Sequence, residues 1–416
     1  MLKVLHTADW HLGQSFFGFD RDYEHGQFLD WLLSTLISEQ PDVLLVSGDV
    51  FDSINPSAAA QKRYYNFLAG AHAGCPKLQI VIIAGNHDAG ARLEAPSDLL
   101  ESLNITLVGT VHRSENGAID HRRFLVPLRD HTGVTRAVVV AIPFLRPADV
   151  PLIADAKDPY LDGIRLLYHT TTEAARQMRA GLCPDGPILA MGHCHLHGAA
   201  ESSDSERRLV VGGAEALNEE TFPSELAYVA LGHLHKAQAF GNGRIQYSGS
   251  PLPLSFAELR YPHQILKLRF RGPSLASAES LLVPSIVPLV TVPESGSAPL
   301  AEILHQLRTW PVQPELPQEQ YPFLEVRIRE HGPDPTRRQQ IENALDGKPL
   351  RLSSIKIERQ GHNHFAAGHE AERFHVQMMS PEEVFRAAYQ ERFGNDAEEP
   401  LIQAFREILL QGGLDT

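Results

Sequence analysis

The chain has 416 residues and a formal net charge of −14. This length allows two to three domains with a sizeable core, and the acidic balance argues against a protein that holds nucleic acid by bulk electrostatic attraction. Three scattered cysteines are too few for a disulfide framework or a CxxC zinc knuckle. No signal peptide is evident, and no apolar run approaches the ~20 residues needed to span a bilayer. The chain is therefore expected in the cytoplasm, away from membranes.

Residues 1–272 alternate between strand-like and helix-like segments. The runs DVLLVSGD and QIVIIAGNHD are continuously apolar and rich in β-branched residues, which is typical of strands buried on both faces. Helical spacing of apolar residues, or a serine suited to N-capping, predicts helices at 22–40, 57–73 and 160–181. Further strands are predicted at 137–144, 187–193, 227–233, 244–248 and 263–271. This order predicts a layered α/β domain with a central pair of sheets and helices outside.

The composition changes after residue 272. Residues 272–300 are rich in proline, serine and glycine and are predicted to be a connecting stretch. Beyond them, the helix-like segments EILHQLRTW and DPTRRQQIENAL alternate with the strand-like segments FLEVRIRE and RLSSIKIER. The predicted domains are therefore residues 1–275, a small α+β domain at 285–362, and a C-terminal helical segment at 376–416.

The C-terminal segment predicts two amphipathic helices, broken near Gly394–Pro400. Ser380 can cap the first helix, and Pro381 suits its first turn. Periodicity alone leaves open whether the helices pack on their own domain or dock a partner. Their apolar stripes are formed by Val384, Phe385, Ala388 and Tyr389, and by Leu401, Phe405, Ile408 and Leu409.

Five strand-like runs end in aspartate, asparagine or histidine. In an open α/β sheet, ligands bind beyond the carboxyl ends of the strands, so these residues could converge on one site. Carboxylate oxygen and imidazole nitrogen suit manganese, iron or zinc, and one carboxylate can bridge two cations. A lone histidine at a strand end is more often a packed residue, but the ordered set favours a hydrolytic dimetal centre. The candidates are Asp9, His11, Asp49, Asn86, His87, His193, His233 and His235.

These strand ends carry a family resemblance. The strings ADWH, SGDVFD, AGNHD, MGH and LGHLH resemble the calcineurin-like metallophosphoesterase superfamily. The longer strings LHTADWHLGQ, IPFLRP, LGHLHKAQ and YSGSPLPLSF resemble the bacterial SbcD family of nuclease subunits, which is related to the double-strand-break repair nucleases. The resemblance covers residues 1–256 and continues through 285–360 and SPEEVFRAAYQERF. It implies a four-layer αββα sandwich with a small α+β capping domain and C-terminal helices.

The resemblance also implies roles for individual residues. It implies two divalent metal ions, with manganese the first choice, and Asp49 bridging them. His87 resembles the catalytic histidine, Asp52 is a candidate partner for it, and Asp88 would orient His87 or its loop; both aspartates could instead cap turns. One metal would be bound by Asp9, His11, Asp49 and His235, and the other by Asp49, Asn86, His193 and His233.

The stretch HCHLHG departs from the family pattern, which needs only its first histidine. His193 follows the apolar run directly and is kept as the ligand. His195 and His197 have no assigned role, although His195 would share a face with His193 on a longer strand. Cys194 is expected to pack inward.

The resemblance implies a metal-dependent DNA nuclease. Its activities would be 3′-to-5′ cleavage of duplex ends and endonucleolytic cleavage of single strands and hairpins. Its partner would be an SbcC-type ATPase, with the chain as a homodimer within a heterotetramer; the sequence itself has no P-loop. Two alternatives are a phosphoesterase acting on nucleotides or other small phosphodiesters, and a non-catalytic scaffold with the same fold.

Overall fold

The computed structural model describes residues 1–359 except 152, 154–155, 157, 203–215, 312–315 and 331–333, together with 385–386, 389, 401–403 and 405. The strands, in chain order, are β1 (Leu2–Thr7), β2 (Ser15–Phe16), β3 (Phe19–Asp20), β4 (Val43–Ser47), β5 (Gln79–Ile83), β6 (Ile105–Val108), β7 (Leu125–Arg129), β8 (Thr135–Ala141), β9 (Ile188–His193), β10 (Leu226–Gly232), β11 (Gln238–Phe240), β12 (Ile245–Tyr247), β13 (Gln264–Arg271), β14 (Ser274–Leu282), β15 (Leu289–Val292), β16 (Phe323–Glu330) and β17 (Arg351–Arg359). The helices are α1 (Asp22–Glu39), α2 (Ala58–Gly74), α3 (Gly90–Glu94), α4 (Ser97–Glu101), α5 (Pro159–Leu182), α6 (Leu300–Arg308) and α7 (Arg337–Ala344).

Two six-stranded sheets form the centre of the fold. The first has the order β14-β13-β1-β4-β5-β6, and the second has the order β11-β12-β10-β9-β8-β7. Strands β1, β4, β5 and β6 run parallel, as do β8, β9, β10 and β12, whereas the remaining strands pair antiparallel at the sheet edges. The carboxyl ends of the parallel strands therefore gather at one edge of each sheet.

The core explains why the central strands read as unbroken apolar runs. In β1, Val4 belongs to the core cluster shared by the two sheets, whereas the next residue, Leu5, packs towards α1 and α2. Successive side chains of a strand point to opposite faces, so a strand covered on both faces needs apolar residues throughout. With α5 packed on the second sheet, the layers are helix, sheet, sheet and helix. The predicted αββα sandwich is confirmed.

The predicted connecting stretch at 272–300 is wrong for much of its length. Residues 274–282 form β14, which pairs antiparallel with β13 through a turn at Gly272, and residues 289–292 form β15. Strand β14 lies at a sheet edge with most side chains exposed, so it needs few apolar residues and resembles a linker in composition. It also continues past residue 275, where the first predicted domain ends.

A small subdomain follows β14. Its sheet has the order β15-β16-β17, and helices α6 and α7 pack on it around a separate core that includes Ile303, Leu324 and Ile341. The two helices and the strands β16 and β17 occur where the sequence predicted them. We refer to these five elements as the small subdomain.

The chain divides into two compact units, residues 1–328 with 336–356, and residues 329–335 with 357–416. The small subdomain belongs to the first unit except for residues 329–330 of β16 and 357–359 of β17. Most of the predicted C-terminal helical segment lies outside the described residues, including Val384, Ala388, Ile408 and Leu409. Within the second unit, the ring of Phe385 stacks on that of Phe405, with their centroids 4.2 Å apart. No helix among the described residues is both long and apolar enough to cross a membrane.

Candidate metal centre

The predicted ligand residues come from both sheets and meet at the carboxyl ends of the parallel strands. All are buried except Asn86, which is half-buried. The residues are Asp9 and His11 after β1, Asp49 after β4, Asn86 after β5, His193 at the end of β9, and His233 and His235 after β10. The structure therefore brings together every residue of the predicted ligand set.

The backbone at these strand ends is strained. Asp9, His11, Asp49 and His233 have φ angles of 56°, 46°, 49° and 101°, in the left-handed region that non-glycine residues rarely adopt. Each such residue costs about 1–3 kcal/mol and persists only where its surroundings hold it. Gly85 permits the loop after β5 to approach the loop after β4, since a Cβ at Gly85 would overlap the Asp49 carboxylate.

Asp49 lies at the centre of the cluster. Its Oδ2 is 3.3 Å from Nε2 of His193 and 3.6 Å from Nε2 of His11. Its Oδ1 accepts a hydrogen bond of 2.8 Å from the backbone N–H of His87. Although burial alone would raise the pKa of Asp49, the imidazoles of His193, His11 and His87 hold it well below its ordinary value. One carboxylate oxygen thus stands between histidines that belong to different sheets.

Asn86 and two histidines form one side of the cluster. The Oδ1 atom of Asn86 is 2.9 Å from Nε2 of His193 and 3.0 Å from Nδ1 of His233. His193 can donate from Nδ1 to the carbonyl oxygen of Ser47, 2.9 Å away. In that tautomer Nε2 carries a free lone pair, as a metal ligand must. Nε2 lies on the side of the ring that faces Asn86 and Asp49.

Asp9, His11 and His235 form the other side. One donor atom from each lies within 4.8 Å of the others. Nδ1 of His11 is 3.2 Å from Oδ1 of Asp52, and Nδ1 of His235 is 2.9 Å from Oε1 of Glu258. These carboxylates anchor one nitrogen of each ring and leave the other for the cluster.

The donor set fits divalent cations. Nε2 of His11 is buried and has no hydrogen-bond partner among the residues that the structure describes, and a buried polar atom of this kind calls for one. Burial raises the pKa of Asp9 to about 7, even though His193 and His235 lie nearby. A cation would satisfy the His11 nitrogen and favour the charged form of the Asp9 carboxylate.

The three predicted catalytic residues have distinct surroundings. Nδ1 of His87 is 2.8 Å from the backbone carbonyl oxygen of Asp52, whereas the carboxylate of Asp52 contacts His11. Asp88 accepts hydrogen bonds from the backbone N–H groups of Gly85, Val50 and Phe51. Asp88 therefore joins the loops after β4 and β5. Burial, together with the nearby Asp49, raises its pKa to about 6.

Known proteins resemble this chain over most of its length. Residues 2–237 match the family described as calcineurin-like phosphoesterase, and residues 286–393 match the type 5 capsule protein repressor C-terminal domain. The chain is similar to the SbcD subunit of nuclease SbcCD from Rhodobacter capsulatus, with 40% identity over 93% of this chain and 94% of the relative. The corresponding proteins of Escherichia coli K12 and Bacillus subtilis are 34% identical (92% of each chain) and 28% identical (98% of this chain and 97% of the relative).

The chain belongs to the SbcD family of nuclease subunits. Membership makes it a phosphodiester hydrolase of the calcineurin-like type that uses divalent metal ions. The strand-end residues described above offer donor atoms suited to such ions.

In the HCHLHG stretch of this SbcD family member, the first histidine, His193, lies in the ligand cluster, and the two histidines that follow lie outside it. No potential metal group found among the described residues includes His195 or His197. Nε2 of His195 lies 3.3 Å from a carboxylate oxygen of Glu201. Burial raises the pKa of Cys194 to about 12. Cys194 and His195 line an apolar hollow beside the cluster, together with Phe144, Tyr160 and Leu217.

Glu258 was not among the site residues predicted from the sequence. Its side chain is fully buried, and it contacts His235, which lies 23 residues earlier in the chain. A buried carboxylate is costly unless it is paired, so its position suggests a specific task. The available signal was its place two residues after the string YSGSPLPLSF, which carried the resemblance to the SbcD family.

Proposed function

We propose that the chain hydrolyses DNA phosphodiester bonds at this cluster, using two divalent cations of which manganese is the first choice. The observation that carries the proposal is the position of Asp49. Its Oδ2 lies within 3.6 Å of imidazole nitrogens on both sides, which suits a carboxylate that bridges two cations about 3.5–4 Å apart.

The proposed ligand sets follow the two sides of the cluster. When bound, the cations supply positive charge for the phosphate and lower the pKa of a water molecule. This chain's own residues fix the donors through the contacts of Ser47, Asp52 and Glu258 with the histidine rings. One set is Asp9, His11, Asp49 and His235, and the other is Asp49, Asn86, His193 and His233.

His87 is proposed as the catalytic histidine. Its Nδ1 can donate to the carbonyl oxygen of Asp52, which holds the ring and leaves Nε2 for the substrate. The His87 ring lies 4.9 Å from that of His11, measured between centroids. His87, His11 and Asp52 also bring one donor atom each to within 4.8 Å of one another, and we assign His87 to catalysis rather than to either ligand set. From there it would stabilise the charge of the transition state or protonate the departing sugar oxygen. Asp88 would keep the His87 loop in place.

DNA is proposed as the substrate because the relatives are nucleases. The proposed activities are 3′-to-5′ cleavage of duplex ends and endonucleolytic cleavage of single strands and hairpins. The hollow beside His193 and His233 supports a nucleic-acid substrate, since Phe144 and Tyr160 offer apolar ring surface to a base.

The proposed partner is an SbcC-type ATPase, because each relative is named as one subunit of the nuclease SbcCD. We propose that residues 376–416 dock this ATPase, that residues 285–362 act as a capping domain, and that the chain forms a homodimer within a heterotetramer. A net charge of −14 gives the chain little attraction for DNA of its own, so the partner would supply it. The proposed location is the cytoplasm, where DNA and ATP are both available.

The test compares two substrates in manganese buffer, end-labelled linear duplex DNA and the chromogenic diester bis-p-nitrophenyl phosphate. The full chain should shorten the DNA, and Asp49→Asn should abolish cleavage. Asp30→Asn is the matched control, because Asp30 is exposed on α1 and belongs to none of the potential metal groups found among the described residues. Hydrolysis of the diester without any cleavage of DNA, with or without the ATPase, would favour the small-phosphodiester alternative.

A further inference from the structure

We propose that Glu258 is a positioning residue for the ligand His235, and that the small subdomain fixes Glu258 through an aromatic cluster. This inference rests on the proposed function, because it takes His235 to be a metal ligand. It adds a structural connection between the small subdomain and one side of the metal centre.

Glu258 contacts His235 directly. Oε1 of Glu258 is 2.9 Å from Nδ1 of His235, and the two side chains are 0% and 4% exposed. Oε2 of Glu258 accepts a hydrogen bond of 2.7 Å from the backbone N–H of Leu254. With both carboxylate oxygens engaged, Glu258 holds Nδ1 of His235 in its protonated form. The lone pair of Nε2 is then available to a cation.

The corresponding contact of His11 is more open. The carboxylate of Asp52 lies 3.2 Å from Nδ1 of His11, and its side chain is 37% exposed. Solvent weakens an exposed interaction and leaves a buried one strong. His235 is therefore the ligand whose orientation depends more on a buried carboxylate.

The turn that carries Glu258 packs on aromatic rings. Residues 256–258 form a single 3₁₀ turn, and Phe256 in that turn is buried. The ring of Phe16 lies between two others, with its centroid 5.4 Å from that of Phe256 and 4.7 Å from that of Phe323. Phe323 is the first residue of β16, so it brings the small subdomain into this cluster.

Two arginines support the aromatic cluster, one on each side. On the small subdomain, the guanidinium of Arg351 lies 3.6 Å from the centroid of the Phe323 ring. On the nuclease side, buried Arg21 donates to the carbonyl oxygen of Pro253 and pairs with Glu24. The segment 253–258 is thus held from both sides. Because close-packed interiors transmit strain, a displacement of Phe323 would shift the turn that carries Glu258.

Adjacent residues of β16 provide a matched pair of variants. Phe323 faces the aromatic cluster, whereas Leu324 faces the small subdomain's own core, and both are fully buried. Phe323→Ala and Leu324→Ala both remove large apolar side chains from one strand, so both should destabilise the fold. Only Phe323→Ala should alter the metal centre.

The experiment measures manganese binding to the full chain by isothermal titration calorimetry. Two sites in the unaltered protein are expected from the proposed function, and fewer sites would count against that function rather than against the role of Glu258. Glu258→Ala should weaken one of the two sites by roughly 10–100-fold and leave the other near its original affinity. The nearly isosteric Glu258→Gln, which can still accept from Nδ1, should weaken the same site less and serves if Glu258→Ala does not fold.

Phe323→Ala should weaken the same site as Glu258→Ala, and Leu324→Ala should leave both sites unchanged. If Phe323→Ala does not fold, Phe323→Leu and Leu324→Val form the milder pair with the same expectation. Unchanged binding in both Glu258 variants would overturn the positioning role. Equal binding in the Phe323 and Leu324 variants would overturn the connection to the small subdomain.

Discussion

His87 is the proposed catalytic histidine and is assigned to neither of the proposed ligand sets. Its Nδ1 is engaged by a backbone carbonyl, and its ring stands beside that of His11. We expect His87→Ala to lower the rate of DNA cleavage by roughly 10²–10⁴-fold, the usual contribution of general acid–base catalysis. Elemental analysis of the purified variant should still find the manganese content of the unaltered chain. Loss of the metal would instead make His87 a ligand.

His6 has a buried imidazole outside the ligand set. Its Nδ1 is 2.9 Å from the hydroxyl of Tyr228, and burial lowers the pKa of His6 from 6.5 to about 3. In the unfolded chain this histidine takes up a proton near pH 6.5, whereas in the folded protein it stays neutral until about pH 3. Its contribution to stability is therefore complete above pH 6.5 and is lost as the pH falls towards 3.

The variant His6→Asn removes this titration while keeping a polar atom near Tyr228. The free energy of unfolding, measured with urea at about pH 7.5 and about pH 5, should fall less on acidification in His6→Asn than in the unaltered chain. The same fall in both proteins would show that His6 is not the buried neutral group described here.

At the scale of elements, neighbouring histidines differ in their position relative to the end of β9. The strand ends at His193, and His195 lies beyond it against Glu201. We expect His193→Ala to lose most nuclease activity and manganese content, whereas His195→Ala and His197→Ala should each retain most of both. An equal loss of manganese in His195→Ala would place that residue in the ligand set.

The elements also show what the sequence could and could not predict. Strands such as β4 and β5 are buried on both faces, so their apolar runs identified them and placed Asp49 and Asn86 correctly at their ends. The edge strand β14 was not predicted, because most of its side chains are exposed and a strand of this kind needs no apolar pattern. Glu258 was not predicted because its contact with His235 spans 23 residues, which the spacing of residues along the chain does not encode.

For the whole molecule, the proposed separation of the metal centre from an ATPase-docking segment can be tested by truncation. The proposed ligands all lie between Asp9 and His235, far in sequence from residues 376–416. Deleting the chain from residue 376 should preserve manganese-dependent cleavage of short single-stranded DNA but remove ATP-stimulated cleavage of duplex ends. Pull-down with the ATPase provides the readout. Full-strength capture of the ATPase by the truncated chain would mean that the docking surface lies elsewhere.

The proposed bridging of two cations by Asp49 is the central claim about the metal centre, and crystals grown with manganese can decide it. An anomalous difference map recorded at the manganese absorption edge should show two peaks about 3.5–4 Å apart, one on each side of the Asp49 carboxylate. One peak should adjoin His11 and His235, and the other should adjoin His193 and His233. A single peak, or peaks that do not share Asp49, would contradict the bridging role.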